Sequence, residues 1–573
     1  MSEPNLLTAV RAAARRTGRG VRFLGYGAPD VVLSYEEFLR MSAWLSQKIP
    51  GNALDRPQTV VIVAGRPLPT LLAFFAALWA GARPVVAPTL TAVGGLQALL
   101  DRVARMTAGF PGQHVLAVDE ELLAAGVTFP DAPILPLPAD VAAYDRLAEA
   151  PRPAFPEPGG DDIAFFQTTS ASTGDAKLVA ISHANAHANL TALRRALHAG
   201  PDERMGSWLP LHHDMGLVGT VLLSFFSGWQ LTLMQPTEFI MRPHRWLDAL
   251  SRHRCTITAS PNFGYDYTAR RVSDRELAGC DLSALTRAVI GAEPIRLATL
   301  RRFHERLRPY GLRPESLICS YGMAESTLAT TMAVPGHAPR YLLMDPARTS
   351  PGEPVRILGE GRLGAPAQAH GGVAVFSCGP ALDGLDLRLV VDGAEVTEEG
   401  VLGEVALRGP SVCLGYVAPG ASTPTPFPGG VHLTGDLGFL HRGELFILER
   451  IKHVIIRNGQ NHLASLLEEQ VATVLGLPAQ EIIVVDRDIH DPASDIVALV
   501  ENHRGAAGPT PEQLAALRGL DLPIDLLLFA RRRVIPRTTS GKKRYHQTRR
   551  ALAGQTLPIS TRIRLGGAGQ GDR

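Results

Sequence analysis

Apolar and polar residues in the N-terminal part of the chain follow first a helical and then a strand period. Residues 34–37, Ser-Tyr-Glu-Glu, have the form of a capping box and precede apolar residues at helical spacing, Phe38, Met41 and Leu45. A strand-like run at 59–64, a helical run at 71–80 and another strand-like run at 84–87 follow closely. This order predicts a βαβ unit and therefore a parallel sheet.

The alternation returns between residues 256 and 321, with strand-like runs at 256–259, 288–290 and 317–319. Beyond residue 372, valine-rich runs and the turn dipeptides Asp392-Gly393 and Arg442-Gly443 predict β-hairpins. We therefore predict a mixed α/β fold in three parts. These are a large N-terminal domain (1–450) with parallel-sheet βαβ subdomains and a β-rich subdomain, a small mobile α+β C-terminal domain (451–555), and a disordered tail (556–573).

The charge, the cysteine spacing and one uncharged stretch argue against several classes of partner and site. The net charge of +2 argues against nucleic acid as a partner, although nine of residues 531–550 are Lys or Arg. The five cysteines are widely spaced and never form CxxC, so the sequence indicates neither a disulfide framework nor a zinc site and fits a reducing cytoplasm. Residues 215–237 lack charged side chains, but glycines and Pro236 interrupt them, so we predict buried core and no membrane span.

Residues 167–178, QTTSASTGDAKL, follow a strand-like run and are rich in hydroxyl and small side chains. Small residues let backbone N–H groups approach phosphate oxygens, and a lysine adds positive charge. The segment therefore predicts a phosphate-binding loop, with a solvated turn as the alternative. Its spacing differs from GxxxxGK[ST], which argues against a P-loop hydrolase. The candidate binding residues are Thr169, Ser170, Ser172, Thr173, Gly174 and Lys177.

This loop resembles the phosphate loop of the adenylate-forming enzymes, TSGSTGxPKG. Residues 207–217, SWLPLHHDMGL, resemble the SWLPLYHDMGL segment of the fatty acyl-AMP ligase branch, and residues 235–267 continue the resemblance to a segment ending in PNFAYDL. It implies that His213 lies beside the acyl pocket, with His212 in place of the family's tyrosine. A zinc site at His-His-Asp is disfavoured, since adjacent residues on an extended segment point in different directions.

Further motifs occur in the family's order. Residues 291–294 (GAEP) and 320–325 (SYGMAE) resemble the adenine-contacting loop and the YGMAE motif, residues 434–450 resemble TGDLGFL…GEL…R, and residues 536–542 resemble PxTxSGK. The resemblance implies that Tyr321 packs on adenine, Glu325 holds Mg²⁺, and Lys542 is the catalytic lysine. The nucleotide-binding residues it implies are Gly291, Ala292, Glu293, Pro294, Ser320, Tyr321, Gly322, Met323, Ala324, Asp436 and Arg450, the last two at the ribose.

The chain also departs from the family patterns. In the phosphate loop Ala171 and Leu178 replace glycines and Ala176 replaces proline; a methyl group at position 171 restricts φ and close approach to phosphate. LERIKHVIIRNGQNH resembles the hinge motif GRLKDLIIVRGRNH but has His453 where the motif has aspartate. These departures bear on the acid substrate and on domain rotation between the half-reactions, which we expect His453 to alter.

The implied reaction is attack of a fatty-acid carboxylate on the α-phosphate of ATP in the presence of Mg²⁺, giving acyl-AMP and pyrophosphate. The acyl group then passes to the phosphopantetheine thiol of an acyl carrier protein. Residues 335–375 correspond to the insertion that separates acyl-AMP ligases from CoA ligases. The alternatives are an acyl-CoA synthetase, an adenylate former for another small acid, and a non-catalytic nucleotide-binding homologue.

Overall fold

The computed structural model describes most of the chain. The described residues are 5–15, 18–49, 58–88, 95–107, 114–129, 132–138, 143–144, 158–169, 177–346, 349–365, 372–418, 421, 423–457, 460–487, 494–501, 508–520, 522–531, 533–537 and 542–565. Residues 170–176 of the phosphate loop and 538–541 of the PRTTSGK motif lie outside this set.

Helices and sheets alternate along the chain, as the α/β prediction requires. A π-helical segment, Leu217–Leu222, joins α7 to α8. The helices are α1 (Leu6–Ala14), α2 (Tyr35–Ser46), α3 (Pro67–Trp79), α4 (Gly95–Thr107), α5 (Glu120–Ala124), α6 (His183–Ala196), α7 (Asp214–Gly216), α8 (Leu223–Ser227), α9 (Pro236–Met241), α10 (His244–Arg252), α11 (Asn262–Arg271), α12 (Leu297–Leu307), α13 (Ala464–Leu475), α14 (Pro511–Gly519) and α15 (Tyr545–Ala553).

An eight-stranded sheet, largely parallel, carries one wall of the site. Its order is β14-β13-β12-β11-β9-β10-β1-β2, and the strands from β12 to β10 run parallel to their neighbours. Parallel strands end at one edge, where ligand-binding loops meet. The strands are β1 (Gly20–Phe23), β2 (Val31–Ser34), β9 (Arg204–Ser207), β10 (Gln230–Leu233), β11 (Ile257–Pro261), β12 (Arg287–Gly291), β13 (Leu317–Gly322) and β14 (Ala329–Met332).

A seven-stranded sheet of order β21-β8-β7-β4-β3-β5-β6 supplies the facing wall. The predicted βαβ unit is confirmed, because β3 and β4 pair in parallel on either side of α3. One large apolar cluster packs the helices between the two sheets. The strands are β3 (Thr59–Val63), β4 (Arg83–Val86), β5 (His114–Asp119), β6 (Ile134–Leu137), β7 (Ile163–Thr168), β8 (Leu178–Ser182) and β21 (Gly415–Val417).

Antiparallel β-structure fills the region between residues 340 and 463. The predicted hairpins are confirmed: Asp392 and Gly393 have φ of 50° and 82°, the left-handed values that a two-residue turn requires. The strands are β15 (Arg340–Met344), β16 (Ile357–Arg362), β17 (Val373–Phe376), β18 (Asp386–Val391), β19 (Ala394–Val396), β20 (Gly403–Arg408), β22 (His432–His441), β23 (Glu444–Arg450), β24 (Val454–Arg457) and β25 (Gln460–Leu463).

The C-terminal part has its own sheet and its own core. Its four strands, in order, are β26 (Ile482–Asp486), β27 (Ile496–Glu501), β28 (Leu526–Ala530) and β29 (Ile559–Arg564). Buried apolar residues between 455 and 552 pack into a cluster separate from the large N-terminal one. Such a separate core is typical of a domain.

One expectation needs correction. The disordered tail predicted from residue 556 is wrong for residues 559–564, which form β29 and pair with β28; residues 566–573 lie outside the described set. The phosphate loop joins β7 to the antiparallel strand β8, after which α6 begins with a capping box at Ser182.

The capping box at Ser34 is confirmed, with α2 beginning at the next residue. Residues 215–237 form the buried π-helical segment, α8 and β10, as predicted for a core element. Within the described part of the chain, no helix combines the length and apolarity that crossing a bilayer requires.

Candidate active site

A cavity of about 800 Å³ lies where the carboxyl ends of the parallel strands in the two large sheets face each other. Gly291 and Ser320 line it from the eight-stranded sheet, and Gly65 and Thr169 line it from the seven-stranded one. Position 291 favours glycine, because a Cβ there would lie 2.9 Å from the hydroxyl oxygen and 3.0 Å from the carbonyl oxygen of Ser320. The fold thus forms a cleft at the edge of a parallel sheet, where α/β proteins bind nucleotides.

Next to one end of the cavity lies a carboxylate held by two partners. Asp436 is 5% exposed, its Oδ2 accepts a hydrogen bond from the Tyr321 hydroxyl at 2.7 Å, and its Oδ1 pairs with Arg450 Nε at 2.8 Å. The carboxylate raises the pKa of Arg450 above its ordinary value and so keeps it charged. An oriented carboxylate beside an aromatic ring suits a ribose and its base.

The base of the phosphate loop is fixed by two hydrogen bonds. The backbone N–H of Thr169 donates to the carbonyl of Lys177 at 2.9 Å, and the N–H of Lys177 donates to Oγ1 of Thr169 at 3.1 Å. Lys177 Nζ lies 4.2 Å from the ring centroid of Tyr416, whose hydroxyl donates to Glu325 Oε1 at 2.7 Å. A lysine and a carboxylate therefore face the cavity beside the loop.

The middle of the cavity holds Lys542 and a group of titratable side chains. Desolvation lowers the pKa of Lys542, while Asp214 and Glu293 favour its charged form. Desolvation raises the pKa of Asp214, and Lys542 opposes this. Desolvation, with His212 and Lys542 nearby, holds the pKa of His213 well below its ordinary value, so this imidazole is neutral at pH 7.

Beyond this polar region, apolar residues line the cavity in two groups, and we name the space beside each group. We call the first the deep branch; its walls are Leu193, Leu197, Met205, Ile257 and Val289. We call the second the open branch; its walls are Trp208, Thr237, Ile240, Met241 and Phe263. Ile240 and Met241 are 43% and 60% exposed, so the open branch reaches solvent. A polar centre continuous with apolar space suits a ligand with a charged head and an alkyl tail.

The structure brings together most of the predicted site residues. The cavity is lined by Thr169, Lys177, His213, Gly291, Ala292, Glu293, Ser320, Tyr321, Gly322, Met323, Ala324, Glu325, Arg450 and Lys542. Pro294 and Asp436 line an adjacent cavity of about 250 Å³ between residues 292–296 and the C-terminal part. Ser170, Ser172, Thr173 and Gly174 fall outside the described residues.

Sequence reasoning missed two side chains of the site. Asp214 lines the cavity and interacts electrostatically with Lys542, and Tyr416 binds Glu325. Asp214 belongs to the His-His-Asp cluster, and three such residues in a row suggest a metal site more readily than an interaction with a distant lysine. Tyr416 lies on β21, an edge strand paired with β8, and this pairing between distant segments has no local signal.

The arrangement fits one Mg²⁺ ion bound together with phosphates. The described residues contain no cluster of three or more His, Cys, Asp or Glu side chains that could enclose a metal alone. Mg²⁺ keeps several waters and takes one or two carboxylates plus substrate phosphates. Glu325, beside the phosphate loop, is such a carboxylate.

Comparison with known proteins identifies the class. The profile of the AMP-binding enzyme family matches residues 10–417, and the chain belongs to this family. FadD26, a long-chain-fatty-acid–AMP ligase of Mycobacterium bovis, is 31% identical over 532 residues, covering 87% of each protein. The predicted fatty acyl-AMP ligase branch of the adenylate-forming superfamily is thereby confirmed.

Two further relatives bear on the fold and on the reaction class. TtuA of Teredinibacter turnerae, a medium-chain-fatty-acid–[acyl-carrier-protein] ligase, is 33% identical over 418 residues, covering 69% of this chain and 63% of that protein. The crystal structure of a fatty acyl-adenylate ligase from L. pneumophila, in complex with acyl adenylate and pyrophosphate, is 25% identical with a TM-score of 0.71 over 98% of each chain. The α/β fold prediction is confirmed.

Proposed function

We propose that the protein is a ligase that activates a fatty carboxylic acid with ATP, releasing pyrophosphate and forming acyl-AMP, and then passes the acyl group to the phosphopantetheine thiol of an acyl carrier protein. The observation that carries the proposal is the continuity of one cavity. Its polar part joins Lys542, Arg450, Lys177 and Glu325, and its remainder is apolar.

The polar part suits the first half-reaction. The substrate carboxylate attacks the α-phosphorus, an acyl–phosphate bond forms, and the bond to pyrophosphate breaks. Negative charge builds on the α-phosphate oxygens, and a cation oriented in a desolvated site stabilises it. Lys542 supplies that cation; burial lowers the pKa of Lys542, and the carboxylates of Asp214 and Glu293 oppose this by favouring the protonated form. Neutral His213, whose Nε2 has no hydrogen-bond partner among the described residues, orients the carboxylate.

The nucleotide is held at both ends of this region. Asp436 accepts hydrogen bonds from the ribose hydroxyls, Tyr321 packs on adenine, and the phosphate loop with Lys177 binds the phosphates. When Mg²⁺ is bound with ATP, it neutralises phosphate charge. Glu325 is the side chain that would hold it, after release from its hydrogen bond with Tyr416.

The second half-reaction requires the thiol to reach the acyl carbonyl. We propose that the predicted C-terminal domain, residues 451–555 extended by β29, moves relative to residues 1–450, since these residues have a core of their own. The three-stranded sheet β16-β15-β17 takes up most of residues 335–375, the segment we assign to the choice of carrier protein over CoA, and ends at Phe376. The relatedness to TtuA supports a carrier protein as acceptor.

The test is pyrophosphate release from ATP and Mg²⁺ with a panel of fatty and aromatic acids, comparing wild type with Lys542→Ala and identifying the adenylate by mass. We expect a lysine-dependent acyl-AMP, and removal of one such cation lowers rates by roughly 10²–10³-fold. A carrier protein and CoA are then added separately. Thioester formation with CoA alone would contradict the acceptor, and ATP binding without release for any acid would contradict the reaction.

A further inference from the structure

The deep branch runs along one face of the eight-stranded sheet, from the nucleotide end towards the amino ends of the strands. Val289 lines it two positions before Gly291, and Ile257 lines it opposite Met205 on the neighbouring strand. Side chains two residues apart in a strand share a face, so these walls lie one below the other. Leu193 of α6 and Leu197, the residue that caps this helix, cover the channel from the other side.

A hydrogen-bonded layer lies immediately beneath these walls. Arg287 begins β12, and Glu203 and Thr256 immediately precede β9 and β11. Arg287 Nη1 pairs with Glu203 Oε1 at 3.1 Å, and the Thr256 hydroxyl donates to Glu203 Oε2 at 2.5 Å. Arg287 Nε also donates to the carbonyl of Leu197 at 2.5 Å, which ties the end of α6 to the sheet. The layer therefore closes the channel.

The sheet register gives the depth of the channel. Pro261 pairs with Gly291 at the nucleotide end, and Ile257 pairs with Arg287 at the floor, four residues earlier. At about 3.3 Å per residue in a parallel strand, the floor lies roughly 13 Å below the nucleotide end. An extended alkyl chain advances about 1.25 Å per carbon, from ordinary carbon–carbon bond lengths and angles, so roughly ten carbons span this depth.

The lining of the channel is unsuited to a polar tail. The hydroxyl of Thr258, the residue after Ile257 in β11, points to the other face of the sheet, where it donates to the carbonyl of Gly206 at 2.7 Å and accepts from Trp246 Nε1 at 3.2 Å. Its hydrogen-bonding capacity is used within the protein. A hydroxyl or amino group at the end of the substrate would be desolvated without compensation, which costs affinity.

We infer that the acid activated by this enzyme is a medium-chain, unsubstituted fatty acid of about ten carbons, and that Met205, above the floor formed by Glu203, Thr256 and Arg287, sets this length. The inference rests on the proposed adenylate formation and adds the substrate class to it. An alkyl chain in the open branch would gain less binding free energy, because Ile240 and Met241 are partly exposed and the chain would bury less apolar surface there.

The test separates chain length from chemistry. Binding is measured with non-hydrolysable acyl-sulfamoyl adenosines carrying hexanoyl to octadecanoyl chains, and pyrophosphate release is measured with the matching acids. We expect affinity to rise roughly fourfold per methylene up to decanoyl, the effect of burying one CH₂ group, and to stop rising or fall beyond dodecanoyl. A terminal hydroxyl on decanoyl is expected to weaken binding at least tenfold.

Met205→Ala removes three heavy atoms from the end of the channel and so deepens it. We expect the preferred acyl chain to become about three carbons longer. Met41→Ala is the matched control, since Met41 is fully buried in α2 and does not line the cavity. The control is expected to lose a similar amount of stability without moving the optimum.

Different failures have different meanings. An optimum at hexadecanoyl in the wild type, or a Met205→Ala optimum that stays in place while the analogues still bind, would overturn the chain-length inference and leave acyl-AMP formation standing. No binding of any analogue, together with no pyrophosphate release, would overturn the proposed function and this inference with it.

Discussion

Lys542 and Lys543 are adjacent, and the structure gives them separate roles that one pair of substitutions can distinguish. Lys543 donates to the carboxylate of Glu468, to the carbonyl of Ile482 at 2.7 Å and to the carbonyl of Ala479 at 3.2 Å. Glu468, on α13, is fully buried, and its other oxygen accepts from the Tyr545 hydroxyl at 2.8 Å. Lys543→Met would leave this carboxylate with one cation nearby, Arg296, at 3.8 Å.

The cost follows from the burial of Glu468. Removing one partner of a buried ion pair costs about 3–5 kcal/mol, because the remaining charge stays desolvated. Arg296 partly compensates the charge of Glu468, so we expect the free energy of unfolding to fall by about 3 kcal/mol, the lower end of this range. Local opening of the C-terminal core then becomes roughly a hundredfold more frequent, since each 1.4 kcal/mol is a factor of ten. The double substitution Lys543→Met with Glu468→Gln removes the stranded charge and should recover part of the loss.

Hydrogen–deuterium exchange of peptides covering α13 and β26 reports this opening directly. We expect fast exchange in Lys543→Met, partial recovery in the double variant, and wild-type exchange in Lys542→Met, which instead loses adenylate formation. Equal exchange in wild type and Lys543→Met would refute the reasoning. So would a comparable acceleration in Lys542→Met.

Three further experiments test other parts of the structure. Burial raises the pKa of Asp119 from 3.8 to about 6, so between these pH values the folded state binds a proton that the unfolded state does not, and the contribution of Asp119 to stability falls as pH rises. Asp119→Asn should therefore raise the free energy of unfolding by at most about 3 kcal/mol at pH 7 and leave it unchanged below about pH 4. Urea unfolding at both pH values measures this difference. Asp436→Asn loses the ion pair with Arg450 and should weaken ATP binding tenfold or more by calorimetry, while Asp392→Asn, in an exposed turn, should not. Glu449→Gly and His453→Asp should each impair thioester transfer in single-turnover assays, whereas the double variant should recover; independent, additive losses would contradict coupling of the two side chains.

Local chemistry predicted local structure well. The capping box at Ser34 and the turn at Asp392-Gly393 depend on a few neighbouring residues, and both are present. The strand β29 shows why the tail prediction failed. Its sequence, ISTRIR, alternates half-buried and exposed positions, but the glycine-rich residues that follow it favour disorder and suggest that the whole tail is disordered. A period of two over six residues becomes a strand here because β28 offers a partner edge.

The site was predictable as a set of motifs but not as a set of contacts. Motif order placed Lys542, Asp436 and Tyr321 in one site, and the structure brings these side chains to adjoining cavities. The bonds that orient them join segments far apart in the chain, such as Tyr416 with Glu325. Single-sequence periodicity carries no information on such pairs. For the same reason, the depth of the acyl channel emerged only from the register of β11 and β12.

The contact between His453 and Glu449 gives a physical reason for the departure from the hinge motif. The same motif comparison that sets His453 against an aspartate sets Glu449 against the motif's leading glycine. In the structure these two side chains meet: Nδ1 of His453 lies 3.2 Å from Oε1 of Glu449, and both side chains are buried. Burial raises the pKa of Glu449, but the hydrogen bonds to His453 and to the backbone N–H groups of Arg450 and Ser465 outweigh it and hold this pKa below its ordinary value. The imidazole also stacks on Tyr545 of α15 at 3.8 Å. The carboxylate of this segment therefore lies on β23, four residues before the position of the motif's aspartate, and has His453 as its partner, so the two side chains act as one unit that links residues 449–453 to the part of the chain that carries Lys542.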